Sequence, residues 1–357
     1  MAAVPACHFQ SLNLRPEIGG NSYALQLGDE SLILDAGMHP KEDGASAIPR
    51  YDELPDGRAD GIIITHSHLD HIGTLPVLQE KHPEVPVYLT APTAALGEAL
   101  LHNSVNVMKS QRSELGIPEY PLYTHPQIDR AMAQWFPRDY DRPFLLNPLS
   151  ESSASLTFHD AGHIMGSAGI SISAHGRQIF YTGDVHFADH TLTKGARFPD
   201  LDAPDLLIME CTRGSAPRSP DYSLAKEQHR LASRIAETIA RGGSVLIPVF
   251  AIGKTQETLT MLHGFKENEL LPEQTPIIIG GLSTKMTILY DAFASRVRRT
   301  RPKFELIREM ELPVSRRPRR SKPIEYRPGV IYAVSSGMMS EHTVSNTLAR
   351  QFLSNPA

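Results

Sequence analysis

Three imidazoles and a carboxylate crowd together in Thr65-His66-Ser67-His68-Leu69-Asp70-His71, directly after the apolar run Gly61-Ile62-Ile63-Ile64. Imidazole nitrogen and carboxylate oxygen are suitable donors for zinc. On an extended loop, alternate positions direct His66 and His68 toward one cation, which leaves Asp70 and His71 to face a second. Such a site needs rigid backing, and the strand before the loop supplies it, with a helix expected to begin near Ile72. A chance polar loop is the alternative, and the donor chemistry of the string speaks against it.

Two further segments place a donor beside glycine: Asp160-Ala161-Gly162-His163-Ile164-Met165-Gly166-Ser167 and Tyr181-Thr182-Gly183-Asp184. Glycine lets the backbone turn sharply and approach a bound group closely, so His163 and Asp184 can project toward the cluster. Asp184 suits a bridge between two cations, because a carboxylate has two oxygens and its charge offsets their repulsion. Taken alone, a Gly-His or Gly-Asp pair is more often a turn. Their co-occurrence with the histidine cluster reverses that reading.

The elements that must position these residues follow from periodicity. SYALQLGDESLILDAG reads as two strands with a turn at Gly28-Asp29, and GIIITHSH as a buried strand ending in a loop. VPVYLT, ASLTFHDAG, GISISAHGRQIFYTGD and DLLIME are strand-like; Ala91 to Leu101 and IDRAMAQWF have helical patterns. The hairpin turning at His175-Gly176 delivers Asp184 to a strand end. After Glu210, SLAKEQHRLASRIAETIARGG reads as a long helix ending at a Gly pair, SVLIPVF as a buried strand, and a helix starts near Lys254. TPIIIGG, a helix from Ser283 to about Ser295 and the strand GVIYAVS complete an alternation that predicts a parallel, Rossmann-like layer. The domain boundary is placed at residue 208, giving 1–207 and 208–357.

At 357 residues, with 41% hydrophobic and 21% charged composition, the chain can bury a large core. Only Cys7 and Cys211 occur, which excludes a disulfide framework and a Cys-based zinc motif and suggests a reducing compartment, the cytoplasm by default. Cys211 is expected to be a buried, inert thiol. No apolar stretch approaches the roughly 20 residues a bilayer requires, and the N-terminus lacks a secretory pattern. The net charge of -5 excludes a globally basic coat. Arg296 to Lys322 is nonetheless strongly cationic and reads equally well as a lining for a phosphate-bearing substrate or as a solvated basic loop. His8, His39, His82, His102, His125, His159, His175, His190, His229 and His263 lack ligand spacing and read mostly as surface or locally hydrogen-bonded residues. His186, close after Asp184, is less plainly of that kind.

LILDAG, THSHLDHIG, AGHIMGSAG and YTGD stand in the order and context of the metallo-β-lactamase superfamily, which residues 1 to 210 resemble. The resemblance implies an αββα sandwich and two Zn2+ ions, one held by His66, His68 and His163, the other by Asp70, His71 and Asp184. It also implies that Asp35 holds a ligand imidazole by its second nitrogen, a contact that fixes tautomer and aim; a simple turn at Asp35 is the alternative. IMECT, the Arg241–Glu257 segment, Ser335–Ser340 and PLYTHPQIDRAM resemble the β-CASP branch, whose members process nucleic acids. Glu210 takes that branch's acidic position and is expected to support the site from the far wall of a cleft.

The resemblance implies an RNA phosphodiesterase, endo- or exonucleolytic, in which a hydroxide held between the metals attacks while Asp70 or Asp184 orients it or accepts its proton. RNA, or single-stranded nucleic acid more broadly, is the expected partner; no membrane is, and self-association is left open. A metallo-hydrolase of a small ester, thioester or lactam is the second reading, and a low-activity RNA-binding subunit the third. The family pattern continues with two further histidine motifs that this sequence does not reach by Ala357, and His342 matches neither. The β-CASP-like half is therefore expected to be C-terminally incomplete, the second metal site one ligand short, the general-acid position empty and the activity weak.

Overall fold

A computed structural model describes residues 7–15, 17, 19–54, 59–150, 153–201, 203–312, 324–339, 341 and 343–353. Two compact units divide the chain: Met1–Ala188 with Gly195–Glu210, and Asp189–Lys194 with Cys211–Ala357.

In the first unit, β1 (Cys7–Ser11), β2 (Tyr23–Leu27), β3 (Glu30–Leu34), β4 (Gly61–Ile63), β5 (Val87–Leu89) and β6 (Trp135–Pro137) form one sheet in that order. β1 to β3 pair antiparallel, and β3 to β6 parallel. A second sheet is built of β7 (Phe144–Leu145), β8 (Ser155–Asp160), β9 (Ala168–Ala174), β10 (Arg177–Tyr181) and β11 (Leu206–Ile208), with only the β10–β11 pair parallel. The hairpin turns fall where expected. Gly28 sits at φ 59, and His175 and Gly176 both take positive φ, 52 and 75, as a type I′ turn demands.

Alternation along β9 puts Ala168, Ile170, Ile172 and Ala174 inward and leaves Ser171 and Ser173 facing out. The inward set meets Leu25, Leu27, Leu32, Leu34 and Ile63 of the first sheet in one apolar core. Each fully buried aliphatic side chain there contributes about 1.5–3 kcal/mol relative to exposure. The first sheet's other face, with Ile33, Ile62 and Ile64, is covered by α1 (Leu69–Ile72), α2 (Leu75–Lys81), α3 (Ala91–Leu115) and α4 (His125–Ala131), through Ile72, Leu75, Leu78, Leu101, Val105 and Ile128. The result is a mixed α/β sandwich.

Two helical expectations change. α3 runs past Leu101 to Leu115, because Val105 and Met108 continue its buried stripe and the first left-handed residue, Gly116 at φ 70, comes only then. IDRAMAQWF is not one helix: Trp135 leaves it to pair with Val87 in β6, its ring nitrogen donating to Gln79 at 3.0 Å. Burial of that indole decides the local conformation over helical propensity.

The second unit carries α5 (Leu224–Ala240), β12 (Val245–Pro248), α6 (Lys254–Glu267), β13 (Ile277–Ile278), α7 (Leu282–Ala292), α8 (Leu306–Glu309), β14 (Ile331–Val334) and α9 (Val344–Leu353). Its three strands form an all-parallel sheet in the order β12-β14-β13, the layer that the strand–helix alternation predicts. Glu257 of α6 binds the short excursion at 189–194: it accepts from the Thr191 hydroxyl at 2.6 Å and the Leu192 and Thr193 amides at 2.7 and 2.9 Å.

Three arginines of the cationic stretch are engaged inside this unit. Arg299 is buried and donates to the carbonyls of Tyr290 and Phe304. Arg301 forks onto Glu267 at 2.8 and 2.7 Å, and Arg308 pairs with Glu309 and Glu305. Residues 313–323, the most basic portion, and His342 lie outside the described residues. Cys211, expected to be buried, is exposed: it follows β11 into a turn closed by the Gly214 amide on its carbonyl.

Candidate metal centre

The ligand string is not a single extended loop. His66 follows β4 outside the strand, His68 is the N-cap residue at φ -69 and ψ 149, and the helical turn α1 starts at Leu69, earlier than Ile72. Asp70 and His71 are therefore swung round by helical geometry rather than by strand alternation. A helix this short leaves most of its carbonyls without internal partners. Two other segments reach them: after β3 the Ala36 and Met38 amides donate to His71 and Leu69 at 2.8 and 2.7 Å, and before β2 the Asn21 amide donates to Asp70 at 2.8 Å. Gly37 passes so close that a Cβ there would stand 1.8 Å from the Asp70 carbonyl oxygen.

His163 is aimed by a loop with Gly162 at φ 65, its amide and that of Ile164 donating to the Ser167 hydroxyl at 3.1 and 3.3 Å. Asp184 follows Gly183, at φ 52, where a Cβ would meet the Thr65 side chain at 2.7 Å. The three segments bring their donors together. His68 Nδ1 lies 3.2 Å from both His66 Nε2 and His163 Nε2. Asp184 Oδ2 is 3.8 Å from His66 Nε2 and 3.6 Å from His163 Nε2, while Asp184 Oδ1 is 3.3 Å from His71 Nε2. Asp70 Oδ2 is 3.9 Å from His71 Nε2. His66, His68 and His163 form one potential ligand group, and His66, His71 and Asp184 another, each with all donor atoms within 4.8 Å of one another.

These spacings fit metal ions. A tetrahedral zinc about 2.0–2.1 Å from its nitrogens holds neighbouring ligand atoms ~3.3 Å apart. Imidazoles packed this closely with their ring nitrogens convergent cannot all satisfy one another by hydrogen bonds, since each neutral ring offers one donor and one acceptor.

The electrostatics agree. Burial, then the neighbouring His71, His163 and His68, hold His66 well below the usual histidine range. Burial also works against charge on His71, but the carboxylates of Asp35, Asp184 and Asp70 outweigh it and hold that imidazole well above the usual range. Asp184 is partly desolvated, which favours its neutral form, yet His71, His163 and His68 together keep it well below the ordinary carboxylate range.

Asp35 is fully buried, at φ 61. Its Oδ2 lies 2.8 Å from His71 Nδ1 and accepts the Tyr181 hydroxyl at 2.6 Å; its Oδ1 accepts the Thr65 amide at 2.7 Å. Asp35 thereby accepts the His71 Nδ1 proton in a hydrogen bond and aims the ring's other nitrogen, Nε2, at Asp184.

Glu210 contacts the loop that carries Asp184. Its Oε1 accepts the amide of Val185, the residue after Asp184, at 2.8 Å, and its own amide meets the Thr182 hydroxyl at 3.3 Å. The side chain braces the loop that presents Asp184. Asn21 and Tyr181 are contributors that sequence reasoning missed. The Asn21 side-chain amide lies 3.0 Å from His71 Nε2, and no spacing rule points to it. Tyr181 stood in the quoted YTGD, where only its neighbours looked chemical.

Among the histidines read as bland, His159 is bonded to Asp141 and Ser171 at 3.0 and 2.9 Å; the backbone of His186, which stands apart from them, binds Ala161 and Ala196. His102 and His125 are brought together by the fold, with their Nδ1 atoms 2.8 Å apart. Residues far apart in sequence are joined by the packing of α4 on α3, which local spacing does not reveal.

A two-sheet α/β sandwich with a His-X-His-X-Asp-His turn after a strand, completed by a Gly-His loop and a Gly-Asp loop, defines a metallohydrolase scaffold. Residues 15–235 match the Metallo-beta-lactamase superfamily model, and the chain belongs to that superfamily. It is similar to Endoribonuclease YSH1 of Eremothecium gossypii, with 33% identity over 255 residues, covering 70% of this chain and 31% of the relative. It is also similar to Endoribonuclease YSH1 of Saccharomyces cerevisiae, with 32% identity over 275 residues, covering 75% of this chain and 34% of the relative. The chain thus spans about a third of the length of the curated relatives it matches. The crystal structure of a protein of unknown function from Enterococcus faecalis V583 aligns with a TM-score of 0.49 and 16% identity over 82% of this chain and 69% of that one. No helix among the described residues is long and apolar enough to cross a membrane.

Proposed function

We propose that this chain is a metal-dependent ribonuclease of the β-CASP type that hydrolyses phosphodiester bonds of RNA at the centre around Asp184. The observation that carries this reading is the division of Asp184, with Oδ1 3.3 Å from His71 and Oδ2 3.6 and 3.8 Å from His163 and His66. One carboxylate so placed serves two cation positions, the arrangement that phosphodiester hydrolysis uses. Similarity to endoribonucleases over most of the chain supports RNA as the substrate.

His66, His68 and His163 would hold the first ion; His71 and Asp184, with Asp70 3.9 Å from His71, would hold the second, and Zn2+ is the occupant that this imidazole-rich set favours. Bound there, the ions supply an acidified water and positive charge opposite the phosphate. Asp70 and Asp184 are each about a third exposed, and Asp70, the carboxylate farther from the imidazoles, would take the proton from the attacking water. Asp35 fixes the aim of His71, and Glu210 keeps the Asp184 loop in register. Neither of these two touches the reacting atoms.

The test is cleavage of a fluorescently labelled RNA by the zinc-loaded chain, with Asp70→Asn and Asp184→Asn beside it and metal content measured for each. Cleavage that chelation abolishes, and that both substitutions reduce at least a hundredfold, is expected. A metal-replete chain that turns over only small esters overturns the reading.

A further inference from the structure

Outside this centre, one more pair of imidazoles converges. His102 lies on α3 and His125 is the first residue of α4, and their Nδ1 atoms face each other at 2.8 Å with the rings nearly parallel, 14° apart. Behind His102, its Nε2 lies 3.3 Å from Oδ1 of Asp129, which is also on α4. The backbones that present these groups are anchored: Leu101, Val105 and Ile128 are fully buried in the helix-covered core. The His102 side chain is 24% exposed, so solutes reach the pair.

Two neutral imidazole lone pairs cannot point at each other at this distance, so what lies between them is a proton or a cation. The carboxylate decides the tautomer of His102. With the Asp129 carboxylate 3.3 Å away, the proton of a neutral His102 is favoured on Nε2, which leaves the Nδ1 lone pair directed at His125. A carboxylate behind an imidazole whose other nitrogen is free is the usual backing of a metal-ligating histidine. We propose that His102 and His125 form a binding site for a divalent transition-metal ion, with Asp129 as the positioning residue that orients His102 and water completing the coordination.

Only one proton, on His125 Nδ1, has to leave; it goes to solvent as the ion enters. A tetrahedral ion needs its two nitrogens ~3.3 Å apart with their lone pairs meeting at about 109°, so the imidazoles, now head-on, must separate by about 0.5 Å and each swing toward the ion. Two imidazoles and no protein oxygen select zinc, copper or nickel over calcium or magnesium. Occupied, the site ties α3 to α4.

The experiment compares the whole chain with His102→Gln/His125→Gln and with Asp129→Asn, leaving every residue of the Asp184 centre intact. Each is equilibrated with excess zinc chloride and gel-filtered, its zinc per chain is counted by mass spectrometry, and its fold is checked by circular dichroism. The wild-type chain is expected to carry one zinc more than the double variant. Asp129→Asn, a change at a side chain two-thirds exposed and so harmless to folding, is expected to bind that ion about tenfold to a hundredfold more weakly in titration. Equal zinc content in the wild type and a folded double variant means that only a proton joins the two rings, and overturns the proposal. Unchanged affinity in Asp129→Asn overturns the role given to the carboxylate.

Discussion

Asp35 and His71, 36 positions apart in the chain, meet at 2.8 Å in a fully buried contact. The imidazole that leans on this carboxylate has its other nitrogen aimed at Asp184, so the pair transmits the rigidity of the sheet to the metal centre. Asp35→Asn keeps the shape but replaces one oxygen with an NH2 that the Thr65, Tyr181 and His71 donors cannot use. Metal affinity is expected to fall about tenfold to a hundredfold, as for other residues that orient metal-ligating histidines. Competition titration with a chromogenic chelator reads it, and an unchanged affinity sinks the assignment.

Glu210 separates bracing from chemistry. If its part is to accept the Val185 amide, Glu210→Gln still offers an acceptor and retains most activity. Glu210→Ala forfeits a charge-assisted hydrogen bond of about 1.5–3 kcal/mol, equivalent to roughly tenfold to a hundredfold in rate if it is felt fully in the transition state. Equal losses in the two variants, measured as kcat/KM on one RNA, point instead to a carboxylate that acts on substrate.

Two glycines predict opposite signs. Gly37→Ala drives a Cβ to within 1.8 Å of the Asp70 carbonyl, a backbone atom that cannot step aside, and is expected to cost about 3 kcal/mol. Gly264→Ala, inside α6 with nothing within 4 Å of the added carbon, is expected to stabilise by about 0.5–1 kcal/mol. Urea denaturation of both variants checks the pair; a harmless Gly37→Ala contradicts the close approach beside the centre.

Binding to the folded chain alone adds stability by mass action, about 2.7 kcal/mol at a free ion concentration a hundred times Kd. Chelation is therefore expected to lower the melting temperature of the wild type, and zinc to restore it. In Asp184→Asn, which loses the ligand shared by both positions, the restoration shrinks. A melting temperature indifferent to chelator removes the metal from the account.

The sequence exposed the centre because metal chemistry concentrates rare residue types: His66, His68, Asp70 and His71 stand in one string, and His163 and Asp184 each follow a glycine. Hairpins were legible for a related reason, since few residues tolerate the positive φ found at Gly28, His175 and Gly176. Less visible was whatever depends on tertiary partners. Trp135 leaves a helical pattern to join a sheet, α1 begins early because Ala36 and Met38 satisfy its carbonyls, and His102 finds His125 only through the packing of two helices. Arg299 and Arg301 looked like a basic surface, and their engagement with Tyr290, Phe304 and Glu267 has no signature in local composition.

The excursion at 189–194 bears on how this protein can be dissected. The chain leaves the first unit after Ala188, returns at Gly195, and departs again after Glu210, so a cut at residue 210 does not yield a self-contained fragment. A piece ending there keeps Thr191, Leu192 and Thr193 but loses Glu257, whose carboxylate receives all three. Subcloning the sandwich by itself therefore calls for replacing those six residues with a short polar bridge from Ala188 to Gly195.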